Sequence, residues 1–569
     1  VEACAAQGIA AQQPAAPDAA PAHGPVRTED QAKAGDAGKA AGAPQDDTPK
    51  PAAPAKSKLD PNSSVYLDVG YADWGLRGNQ SKFREYATPP TGFFLRDLRY
   101  APLLKSPSED ALFELRGIGQ DDYLAAARGA WDYGATRLSG FLSRSKFFDP
   151  TPGVIPVSSW RASGLDLRRN ITRDFSLSFQ TRSNSQQLNF AVPYPRLDQN
   201  TDYWNAIAGG KLGRGFVRLD FSNFHYADET QTLVNFNAQK VGLSYLWTPS
   251  TAVGIEAAGS HVAIRQPNLP ESHVDTLSLG GDFTLGAATD LAVQLQRRQV
   301  GLPTVQNAYD RNQNTGTFSL SHRFDSWRAQ LGLRLQNDDR VNGTQTYVEV
   351  PKWSTLEGRL SGRLSRSVRL SLRGYTQSLS DPPASTLTDP RTLYWTNRNF
   401  VQARLEGGTE NVNGYLVYTY NVNRNSQRAT DVTTEQYTLG SSWQINPSLS
   451  LFAEFHHENW TGRTDTDLFP ALSNFLPDSD SGVVELNWNL GRRAYVAFSY
   501  TGFATYNDNP LLLQDGNTRG SYFTINTHYR FPAGYELGLL VAPWTYRDGV
   551  AGSLNYDATV LMVTGSARF

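Results

Sequence analysis

"RAQLGLRLQ" (residues 328–336) alternates with a period of two. Ala329, Leu331, Leu333 and Leu335 fall on one side, Arg328, Gln330, Arg334 and Gln336 on the other. That period belongs to a β-strand with one apolar and one wet face. The alternation recurs along the chain. In "RLSLRGY" (369–375), Leu370 and Leu372 oppose Arg369, Ser371 and Arg373. In "VQARLEG" (401–407), Val401, Ala403 and Leu405 oppose Gln402, Arg404 and Glu406, and "VELNWNL" (484–490) repeats the scheme.

Any antiparallel sheet with one solvated face would show such strands, so the connections between them decide the fold. Tight links stand at "GRG" (213–215), "WTPS" (247–250), "GAAT" (286–289), "FDS" (324–326), "LSRS" (364–367), "NPS" (446–448), "GRR" (491–493) and "FPAG" (531–534). Longer polar links separate them, roughly 187–201, 226–236, 302–312, 337–351, 379–396, 461–481 and 504–518. Short and long alternate, so one rim is trimmed and the other elaborated. Outer-membrane barrels are built this way, with short periplasmic turns and long outer loops; a soluble sandwich has no reason to sort its loops. The pattern predicts an all-β, antiparallel transmembrane barrel of about 26 strands over residues 62–569. Two strands lie near 64–76 and 93–101, and the others run from Ala111 to the end. An even count returns both termini to the periplasmic side of a bacterial outer membrane.

Composition agrees. Of 569 residues only 39% are apolar, although 11% are aromatic (26 Tyr, 27 Phe, 12 Trp), and mean hydropathy is −0.47. A barrel needs apolar side chains on its lipid face alone. No apolar run reaches the 18 to 20 residues of a membrane helix, and no basic-then-apolar signal stretch opens the chain. Trp247, Trp327, Trp460 and Trp544 suit interfacial girdles. Basic and acidic residues nearly cancel (53 against 55, net −2), which points away from a nucleic-acid partner. Residues 1–61, rich in Ala and Pro and free of aromatics, read as a disordered tail. Cys4 has no second cysteine to pair with, which leaves it no disulfide and makes it at most a candidate lipid-anchor residue. The last strand ends on Phe569, with Ala567, Gly565, Val563 and Leu561 on one side. A terminal Phe on an amphipathic strand resembles the signal by which outer-membrane proteins are read by the barrel assembly machinery.

The chain shows no CxxCH, P-loop, HExxH, GxSxG or Cys/His zinc spacing, and an enzyme is not expected. Glu454, His456 and Glu458 share a face and could hold a cation, but a wet wall of mixed charge accounts for them equally. The residues expected to line the lumen are Arg328, Gln330, Arg334, Arg369, Arg373, Arg404 and Glu406. A barrel this wide needs a filling, whether inward loops or another protein.

"GLRGNQSKFREYATPPTGFFLRDLRY" (75–100) is the most distinctive stretch near the start. Its Gly-rich strand, "KFREY" (82–86) and Gly followed by aromatics resemble the opening of the MtrB/PioB family of large outer-membrane barrels. The resemblance implies a sheath for a periplasmic multihaem cytochrome c inside the lumen, within a porin–cytochrome conduit for electron transfer across the outer membrane. Haem c would then sit on the partner, with no cofactor bound by this chain; an extracellular cytochrome and outer-membrane lipids complete the implied contacts. Some members carry an N-terminal CxxC; here Cys4 is alone, so no role of that pair is carried over. The competing reading is a porin or export channel for solutes or polysaccharide.

Overall fold

In the computed structural model, the described residues are 65–569 without 87–88, 103–108, 119–121, 149–156, 189–196, 231–234, 303–308, 344–351, 381–394, 427–429, 464–477, 507–516 and 550–551. The Ala/Pro-rich stretch 1–61, Cys4 and most of the longer links lie outside them. The described residues form twenty-six antiparallel strands, from β1 (Val65–Gly78) and β2 (Gly92–Tyr100) to β25 (Glu536–Asp548) and β26 (Tyr556–Arg568). Each strand pairs with its neighbours in sequence, and β26 pairs with β1 from Tyr66↔Arg568 to Gly78↔Tyr556. Phe569 N donates to Val65 O at 2.8 Å and Val65 N to Phe569 O at 3.2 Å, which closes the ring at its last residue.

Closure follows from the solvent. Hydrocarbon offers no partner to an unpaired N–H or C=O, so a spanning sheet can have no edge. The turns behave as their sequences suggest. Links 213–214, 325–326 and 447–448 have two residues each, and 364–367 and 491–493 are little longer. Gly213 (φ 61°) and Asp325 (φ 40°) take the left-handed conformation that such tight reversals demand. Val65 and Phe569 lie on this short-turn rim.

Period-two alternation sets the two faces. Phe318 of β14 (Tyr309–Phe324), Leu333 of β15 (Trp327–Gly343) and Leu356 of β16 (Lys352–Arg363) pair laterally and stay 37–46% exposed, a row of apolar side chains facing outward. Leu561 and Val563 do the same on β26. A 16-residue strand such as β14 rises ~40 Å at the usual rise and tilt. The apolar band needs about 25 Å, so the strands carry polar wall beyond the hydrocarbon. At about 4.8 Å between strands and a tilt near 40°, a ring of this strand number is ~50 Å across its backbone and ~40 Å across its lumen.

The alternation corrects two of the proposed girdle residues. Trp247 and Trp327 face outward, the latter lying over Gly362. Trp544 and Trp460 share the parity of the inner face, Trp544 packing against Phe83 and Trp460 donating to Glu458. Nearness to a strand end says nothing about which side a residue points to; register does.

The face assignment has a direct test. Leu333→Arg, at mid-height on the lipid side, should destabilise the inserted barrel by about 2–4 kcal/mol. Arg334→Leu, its inward neighbour, should not, and urea unfolding in lipid vesicles measures both. Equal effects would sink the assignment.

Candidate functional site: the lumen wall

Register places all seven residues expected in the lumen on the inner face. Arg328, Gln330 and Arg334 stand on β15, Arg369 and Arg373 on β17 (Val368–Ser380), Arg404 and Glu406 on β18 (Asn397–Gly408). Between them runs β16, which adds Arg359 and Arg363, and β14 adds Arg323. Two of these additions were legible in "EGRLSGRLSRSVRL" (357–370), where Arg359 and Arg363 keep the parity of Glu357.

The pairing brings like charges face to face. Arg323 lies directly opposite Arg328, Arg359 opposite Arg373, and Arg363 opposite Arg369. Directly opposed residues of antiparallel strands hold their Cβ atoms about 5 Å apart, and like charges there destabilise the sheet. Counter-charge is scarce. Glu406 accepts from Arg404 Nε at 2.9 Å and stands 3.9 Å from Arg369 Nη1. Among the described residues, Arg323, Arg328, Arg334, Arg359 and Arg363 have no ion pair; Glu357 is the carboxylate beside them, and Asp338 keeps the same register parity further along β15. Aromatic faces take part of the load: the Arg373 guanidinium lies 5.3 Å from the Phe400 ring centre and that of Arg404 4.9 Å from Tyr415. Tyr415, on β19 (Val412–Asn425), lies across Gly440, where a Cβ would overlap its ring, and donates its hydroxyl to Glu454 two strands away. Gln330 donates to Ser319 at 2.9 Å.

Elsewhere the wall carries acids: register puts Glu256, Asp282 and Asp290 on the inner face, with no ion pair among the described residues. Near the closing seam Arg99 bridges Asp97 at 2.6 Å and Glu114 at 3.3 Å, Arg96 stands 3.7 Å from Asp68, and Glu536 lies 3.1 Å from Arg530 and 3.0 Å from His528. Arg137 and Arg168 also oppose each other, but in the hollow they line with Arg128 three acids, Glu109, Asp110 and Asp166, match the three arginines, Asp166 being held by Arg182 at 2.7 Å. Glu454, His456 and Glu458 do share the inner face, with His456 Nε2 3.7 Å from Glu458. Among the described residues no group of three or more His, Cys, Asp or Glu is placed to hold a metal ion.

One element went unread in the sequence. The family-like motif forms a helix, α1 (Gln80–Tyr86), folded onto the inner wall beside the seam. Asn79 starts it: its side-chain oxygen accepts from Lys82 N at 2.8 Å, its side-chain nitrogen donates to Ser553 O at 3.1 Å, and its backbone N to Asn555 O at 2.9 Å. Phe83 is fully buried, its ring centre 5.4–5.6 Å from those of Trp74, Trp544 and Tyr556. The Asn cap was the available signal; beside the nearby Trp74, the other two rings of the aromatic bed, Trp544 and Tyr556, come from strands more than 400 residues away, and no local pattern announces them.

Against known proteins, no family model matches the chain and no curated protein matches it in sequence. Solved structures do. The FrpB iron transporter of Neisseria meningitidis (F5-1 variant, apoprotein form) is 9% identical over 90% of this chain and 82% of its own, with a TM-score of 0.51. By fold, this is an outer-membrane barrel. Weaker likenesses are a point mutant of the ferric enterobactin receptor PfeA of Pseudomonas aeruginosa (11% identity, 79% and 85% covered, TM-score 0.47) and the siderophore receptor PirA of the same organism (8%, 90% and 81%, 0.44).

The helix carries its own prediction. Phe83→Ala removes a fully buried phenyl ring, which costs about 3–5 kcal/mol, and the loss should fall on the docking of α1. Limited proteolysis should then cut within 79–91, while the barrel keeps its heat-dependent shift on gels. A variant as resistant as the parent would show that the aromatic bed does not hold the helix.

Proposed function

We propose that the barrel is the sleeve of an electron conduit, housing a periplasmic multihaem c-type cytochrome in its lumen so that electrons cross the outer membrane. The observation that carries this reading is the width. A lumen of ~40 Å matches the diameter of a globular body of roughly 150 residues, from the usual scaling of domain size with length. The wall offers that body polar and charged side chains, suited to a soluble protein's hydrated surface rather than to an apolar ligand. The trimmed rim supports entry from the periplasmic side, and the stretch that resembles the MtrB/PioB opening supplies α1 on the same wall. The haems would belong to the partner. The sleeve's part is to fix them in register and keep lipid out.

A second reading is passage of solutes. Its support is the fold shared with the Neisseria iron transporter, and it covers the porin or export-channel alternative as well. The two readings part on one preparation. The barrel is extracted in mild detergent from a host with its native gene neighbourhood, purified through a tag, and its visible spectrum recorded. A Soret band with a stoichiometric haem-staining partner is expected. A colourless pure barrel would overturn the sleeve and turn attention to conductance in planar bilayers.

A further inference from the structure

The arginine sector of β14–β18 is not explained by solvation. A wet wall needs hydrogen-bonding capacity, and neutral side chains supply it at neighbouring inner positions: Gln330 beside Arg328, Gln402 opposite Arg373, Ser361 opposite Arg328. Nor does the sector stabilise the sheet, since three arginine pairs oppose each other with little counter-charge. Arg369 and Arg404 keep 59% and 46% of their side chains exposed to the lumen, and Glu406, the carboxylate between them, is 38% exposed. At the seam, by contrast, each arginine of the network has its acid within 4 Å.

We infer that this sector is a docking wall for an acidic face of the protein lodged in the lumen, an inference that rests on the sleeve reading and adds an orientation to it. Four strand intervals span ~25 Å around the ring. That is far wider than a site for a small anion and comparable to half of a standard protein interface. Low-dielectric walls concentrate the field of such a patch within the lumen. An occupant with one acidic side is held against β14–β18, which sets its rotation about the barrel axis. The remaining wall offers an acidic face no such hold: its charges are either closely paired, as at the seam, or acids such as Glu256, Asp282 and Asp290.

The test is a double variant, Arg359→Gln/Arg369→Gln, which removes one arginine from each of two opposed pairs. Arg128→Gln/Arg137→Gln, in the balanced hollow, is the control. All three barrels are purified with their lumen protein, washed in rising salt, and the haem signal retained on the tagged barrel is read. The sector variant should release half its partner at about half the salt concentration that the parent needs, because the attraction is screened; the control should match the parent. Emptied barrels are then unfolded in urea. With a repulsion removed, the sector variant should unfold at the parent's midpoint or above it, whereas a merely structural role for these arginines would lower it. A partner retained equally by all three overturns the docking wall and leaves the sleeve standing. A parent barrel that brings down no protein, including one that retains an acidic polysaccharide instead, overturns both.

Discussion

Everything in this molecule depends on one requirement: no backbone N–H or C=O may face hydrocarbon unpaired. The pairing of β1 with β26, through to Val65 and Phe569, removes the last edge. Once the ring is closed, the other properties follow. The strands must alternate, because one face meets lipid and the other water, and that halves the need for apolar residues and explains the low hydropathy. The strand number then sets the lumen. A ring this wide cannot be filled by its own inward side chains as a small barrel can, so what lies inside must come from inserted segments or from another body. Among the described residues, α1 is the segment that turns inward, and it covers one side of the wall only.

Fold was legible because its signals are local. Period-two alternation and a tight turn are each contained in ten or so residues, and both repeat often enough that no single irregular strand spoils the count. The inner face was legible by the same parity: once Leu333 is assigned to lipid, Arg334 has no other place to go. What failed to show has a common cause. Trp544 and Trp460 were assigned by position along the strand, while their roles depend on side, and Trp544's depends further on Phe83 arriving from the other end of the chain. The helix 80–86 sits between strands of a chain otherwise free of α-helix among its described residues, and its cap at Asn79 is a single polar residue in a stretch full of them. Contacts closed by ring formation join residues hundreds of positions apart, and sequence pattern carries no record of them.

The two charged regions of the wall show how a barrel can hold stability and binding apart. At the seam, where the first and last strands must find each other, charges are paired closely: Arg99 between Asp97 and Glu114, Glu536 between Arg530 and His528. Arg99 with Glu114 and Arg96 with Asp68 join β2 to neighbours reached without a tight turn, whereas Glu536 pairs across the tight turn 531–535. The β14–β18 sector lies far around the ring, among strands already held in register by links such as 325–326 and 364–367. Hairpin geometry there is set by the turns and the backbone ladder, so opposed arginines can be tolerated at a cost the rest of the sheet absorbs. Where register is already secure, side chains are free to serve something other than the sheet. Exposed guanidinium groups with too few carboxylates among them are chemically incomplete, and the complement they lack is an anionic surface inside the lumen.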